Sequence, residues 1–147
     1  MIQRIQTVYL FLSFLLLAFG GVKAAMALCT MALCSTKNED MAQQFVAPYF
    51  VWGVLFACLL SLGAILSFVD IFLYSKRMKQ VKVITIVQLL VIAAYICFAI
   101  PVFQNSEITF QMVTFPLLPA VSLLVCILAR KAILRDERLV RAADRIR

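Results

Sequence analysis

Residues Phe50–Tyr74 read FVWGVLFACLLSLGAILSFVDIFLY, and Ser75–Lys82 follow as SKRMKQVK. The first stretch has a single charged residue, Asp70, and exceeds the roughly 20 apolar residues needed to cross a bilayer's hydrocarbon. It shows no apolar/polar alternation, so a transmembrane strand is excluded. A helix satisfies its own backbone groups in lipid and is the expected form. The second stretch carries Lys76, Arg77, Lys79 and Lys82, a dense cationic stop directly after the span. Tyr49, Phe50 and Trp52 at one end and Tyr74 at the other suit the two membrane interfaces.

Three further runs share this character. They cover about residues 5–22, 81–101 and 112–129, with Gln88 as the polar exception in the third span of the chain. The whole sequence is 65% hydrophobic and 14% charged, against roughly 45–50% and about 25% in soluble domains. Lipid must therefore be the solvent for most of it, and no polar stretch is long enough to bury a separate core. The expected fold is all-α: one domain over residues 1–147, an antiparallel bundle of four transmembrane helices with spans near 5–22, 50–74, 81–101 and 112–129. Pro101 marks the expected end of the third span, and Pro116 and Pro119 fit the first turns of the fourth.

Charge orients the spans. Of the 14 Lys and Arg residues, all but Lys23 and Lys37 fall on one side. Arg4 precedes the first span, the Lys76–Lys82 cluster joins the second to the third, and seven cations from Arg130 to Arg147 follow the fourth. The positive-inside rule then places both termini on the cytoplasmic side. Arg4 and Ala25-Met26-Ala27 imitate a signal peptide, but the apolar run is longer than a usual signal core, so a retained span is expected. The net charge of +7 is explained by this flanking pattern, and no nucleic-acid motif accompanies it.

Residues 130–147, RKAILRDERLVRAADRIR, are expected to extend the fourth span as a basic amphipathic cytoplasmic helix. Ala132, Leu139, Val140, Ala143 and Ile146 recur at helical spacing, and Glu137 and Arg141 are placed for an i,i+4 pair. Arg135, Arg138, Leu139, Arg141, Arg145 and Ile146 are the candidate contacts, either with anionic headgroups or with a partner protein. Membrane lipids and other inner-membrane proteins are the expected partners.

Chemical equipment is sparse. The chain has no His, the commonest general base and metal ligand. It has no phosphate-cradling glycine loop and no paired zinc spacing, so no catalytic residue, cofactor or metal is expected. Asp70 is the conspicuous exception, because a carboxylate within a span marks a function or has a partner. It lies six residues before Lys76, within about 9 Å along a helix. Arg4, Lys82 or Gln88 can reach that layer, which makes an interhelical polar tie or an ion site from Asp70, Gln88 and Arg4. Cys29 and Cys34 lie on the oxidising side in this topology, so a disulfide is permitted, provided a turn or hairpin brings them together. Cys58, Cys97 and Cys126 fall within spans as small packing residues. Gly53, Ala57, Ala64 and Ser67 in the second span, and Gly20, Gly21, Ala24 and Ala25 in the first, allow close helix approach. That face serves packing within the chain or a homo-oligomer.

The two ends, MIQRIQTVYL (Met1–Leu10) and LARKAILRDERLVRAADRIR (Leu128–Arg147), resemble an uncharacterised inner-membrane family typical of the Bacteroidota, the domain of unknown function numbered forty-two ninety-three. The resemblance implies a four-helix inner-membrane bundle and transfers no functional residue. It also implies a small β-hairpin in the first outer loop, from which the tandem MALCT and MALCS of this chain depart. The leading functional expectation is a non-enzymatic accessory or structural subunit of an inner-membrane assembly. A small oligomeric transporter or channel using Asp70 is the alternative, and an outer-face thiol-disulfide protein using Cys29 and Cys34 is the third reading.

Overall fold

The computed structural model describes residues 3–35, 47–73, 77–104 and 116–144. They form four helices: α1 (Gln3–Ser35), α2 (Ala47–Phe72), α3 (Arg77–Gln104) and α4 (Leu117–Asp144). No strand occurs among the described residues. Each helix contains a stretch long and apolar enough to cross a membrane: Gln6–Thr30, Phe50–Phe72, Met78–Ile100 and Leu117–Val140. The shortest of these has 23 residues, about 35 Å of helix, against a hydrocarbon layer of about 30 Å. The outward faces carry Val8, Phe19, Ile65, Leu89, Ile96 and Leu124, all exposed, a surface that water would not tolerate at this density.

Element boundaries differ from expectation at two places. Helix α1 does not stop near Val22 but continues through Ser35. Residues Ala24–Ser35 hold no Gly or Pro, and their Ala, Met and Leu are strong helix formers. The β-hairpin implied for the first outer loop therefore has no place before Ser35, and the rest of that loop lies outside the described residues. Helix α3 runs past Pro101 to Gln104; so late in the helix, the missing N–H removes one bond from the last turn. Helix α4 starts at Leu117; the expected start near residue 112 lies outside the described residues. The Ala120 N–H donates to the Pro116 carbonyl at 3.1 Å. Pro119 follows in the first turn, where its missing donor has no intrahelical partner to lose. From there α4 is unbroken to Asp144.

Packing closes the four helices into a ring. α1 meets α2 and α4, and α3 meets α2 and α4. Between α1 and α2, Phe14 stacks on Phe68 with ring centroids 5.3 Å apart. A methyl group built on Gly63 would lie 3.6 Å from Leu17, and one on Gly20 would lie 3.5 Å from both Leu60 and Pro119. Gly20 thus lets α1 nest against two neighbours at once, the close approach that small residues permit in lipid. Further along, Gly53 faces Leu28. Partner numbers fall along α2 as they rise along α1. Between α2 and α3, Phe56 meets Phe98 at 5.4 Å. Leu10, Leu17, Phe56, Leu60, Ile84, Val87, Val91, Ala94, Cys126 and Ile133 fill the centre.

Candidate functional site

Most of the polar interior lies at one end of the ring; Ser122, also buried, donates to the Pro119 carbonyl nearer the other end. At the first end Gln6, Ser13, Ser67, Asp70, Gln80 and Asp136 are all buried. Three contacts stitch the helices at this level. Gln6 Nε2 donates to the Ala132 carbonyl at 3.4 Å. Ser13 Oγ and Cys126 Sγ lie 2.9 Å apart, and Gln80 Nε2 donates to the Asp70 carbonyl at 3.4 Å. These ties join α1 to α4 and α3 to α2 where the ladder of apolar side chains gives way to polar ones.

Asp70 occupies the middle of this layer. It is 0% exposed, and neither carboxyl oxygen has a hydrogen-bond partner among the described residues. Gln80 reaches its backbone and not its carboxyl group. Removing a carboxylate from water without compensation is among the most costly events in a protein interior. The expected tie of Asp70 with Gln88 is not made: Gln88 Nε2 is likewise buried without a partner. Gln88 lies beyond Ile84 on α3, further into the apolar part of the core than Gln80. Arg4 belongs to α1, but its side chain lies outside the described residues.

The thiols are dispersed. Cys29 is an exposed free thiol, Cys58 is exposed, Cys97 half-buried and Cys126 buried. Cys29 and Cys34 both fall within α1, five residues apart, so helical rise alone separates them by about 7.5 Å, beyond the reach of a disulfide. The turn that would bring them together is replaced by continuous helix; the Cys34 side chain lies outside the described residues. Among the described residues no group of three or more Cys, Asp or Glu side chains is arranged to hold a metal ion.

The far end of α4 carries the second feature. Lys131, Arg135, Arg138 and Leu139 are exposed. Lys131, Leu134, Arg135, Arg138, Leu139 and Ala142 surround a shallow hollow of about 470 Å³ on the outward face. Arg141 lies in the helix with its side chain outside the described residues, as are Arg145 and Ile146 entirely. The opposite face of α4 carries buried Ala129, Ile133 and Asp136, followed at the same spacing by exposed Val140. Leu139 and Val140 therefore do not share one stripe: Leu139 borders the basic hollow, and Val140 continues the core face. Sequence spacing pointed to neither Gln80 nor the Ser13–Cys126 pair. The run Ala129, Ile133, Asp136, Val140 at i, i+4, i+7, i+11 was the available signal that Asp136 faces inward.

Four long apolar helices with a packed, partly polar interior define a multi-pass helical membrane protein. Residues 2–146 match the family described as Domain of unknown function (DUF4293), and the chain belongs to that family. No curated protein matches it, and no solved structure does.

Proposed function

We propose that this chain is a non-enzymatic structural subunit of a bacterial inner-membrane assembly, an antiparallel bundle with both termini in the cytoplasm. Its C-terminal turns are the part that docks. The observation carrying this reading is Val140, which prolongs the buried Ala129–Ile133 face of α4 yet is 41% exposed. The core stripe thus runs on past the point where the bundle covers it. An apolar helix face left open beside cations is the form in which helices dock into grooves of partner proteins. The chain's cationic flanks on one side support the orientation. In native membranes solubilised in mild detergent, the chain should co-purify with larger membrane proteins, and Val140→Asp should release them while leaving membrane insertion intact. An undisturbed co-purification pattern in Val140→Asp would count against docking here.

A second reading is favoured by one observation, the two unpartnered oxygens of Asp70. A buried acid of this kind is where a small oligomeric transporter would bind its ion. The packed Leu17, Leu60 and Val91 around the middle of the bundle weigh against a path to it. Flux in proteoliposomes that Asp70→Asn abolishes would establish transport in place of a structural role.

A further inference from the structure

We infer that the outward face of α4 holds the phosphate of an anionic phospholipid headgroup, clamped by Lys131, Arg135 and Arg138; this rests on the proposed role of the tail only in placing it at the membrane surface. The three cations stand at i, i+4 and i+7, one helix face. All three are exposed and line the same hollow. Among the described residues none of the three makes an ion pair or a side-chain hydrogen bond, and no acidic side chain lines the hollow with them. Like charges at this spacing repel across a helix surface, and a shared anion removes that repulsion. Arg135 and Arg138 offer planar forks suited to two phosphate oxygens, and Lys131 adds a point charge.

The rest of the hollow is apolar. Leu134, Leu139 and Ala142 meet the glycerol and the first methylenes of a lipid, which a free phosphate lacks. Position selects lipid over an acidic protein. The cations stand toward the C-terminal end of Leu117–Val140, the stretch of α4 apolar enough to enter a membrane, and the ends of a span are where cationic side chains meet headgroups. A water-soluble partner would have to displace lipid to reach them. The face is also the one turned away from Val140, so lipid and partner protein occupy opposite sides of the same helix.

The test uses the full chain in nanodiscs of phosphatidylcholine with increasing phosphatidylglycerol, reading protein-retained phosphatidylglycerol by native mass spectrometry. Each cation near an anionic surface contributes enough that neutralising all three as Lys131→Gln, Arg135→Gln and Arg138→Gln should weaken phosphatidylglycerol binding on the order of a hundredfold at low salt. Arg135→Gln alone should lose about fivefold, and Val140→Asp should retain wild-type affinity. Inorganic phosphate added to pure phosphatidylcholine discs should leave the unfolding temperature unchanged. Equal phosphatidylglycerol retention by wild type and the triple variant would overturn the site. So would stabilisation by inorganic phosphate alone. Because the discs contain no other protein, the outcome is independent of whether a docking partner exists.

Discussion

The two halves of the bundle interior are built on different physics. Around Leu17, Phe56, Leu60, Ala64 and Val91 the core is apolar and small-to-large complementary, with Gly20 seating α1 against α2 and α4. Around Gln6, Ser13, Asp70 and Gln80 it is polar, sparsely hydrogen-bonded, and contains a carboxyl group without a hydrogen-bond partner among the described residues. In lipid, apolar burial gives no hydrophobic gain between helices, so the first half holds chiefly by close packing, with one hydrogen bond donated by the Tyr95 hydroxyl to the Pro116 carbonyl. The second half holds by hydrogen bonds and carries an unbalanced cost. Each half retains a buried polar group without a partner among the described residues, Gln88 in the apolar half and Asp70 in the polar one, and only the second is ionisable.

That contrast can be broken most forcefully in the apolar half. Leu60→Ala empties a fully buried site facing Gly20 and Gly21 and should cost about 3 kcal/mol, read as an earlier midpoint when the protein in mixed micelles is titrated with denaturing detergent. A small loss would mean the helices collapse into the gap and the packing is looser than described. The polar half should respond with the opposite sign. Asp70→Asn keeps the shape and removes the charge, and should raise stability by about 1 kcal/mol. A fall in the same titration would reveal that the carboxylate has a partner and end the contrast. Smallest of all, Ser13→Ala removes the Ser13–Cys126 contact and should cost about 0.6 kcal/mol, the usual size of such a bond between membrane helices. A cost comparable to that of Leu60→Ala would make polar ties the main support of both halves.

Span number, helix type and the anomaly of Asp70 were legible from residue order, because each depends on local composition. The reach of α1 was not. Lys23 and the twin glycines Gly20 and Gly21 mimic an end, and a span of ordinary length already satisfies the membrane. The Ala-, Met- and Leu-rich turns beyond them obey helix propensity, which outlasts that requirement. The neighbours of Asp70 were also illegible. Counting residues from the nearest cation put Gln88 at its depth, whereas the register between α2 and α3 brings Gln80 to its carbonyl. Register is a property of two surfaces fitted together, and no single segment records it. The division of the α4 extension into two faces was hidden likewise, since Leu139 and Val140 are adjacent in sequence and diverge only once the helix has a defined inner side.

Helix α1 has 33 residues, about 50 Å of rod in a slab of about 30 Å. Such a rod must lean or overhang, and its far end presents Met26 and Leu33 outward. The angle at which it rests then becomes a gauge of bilayer thickness: steeper in thick membranes, shallower in thin ones, with the attached helices carried along.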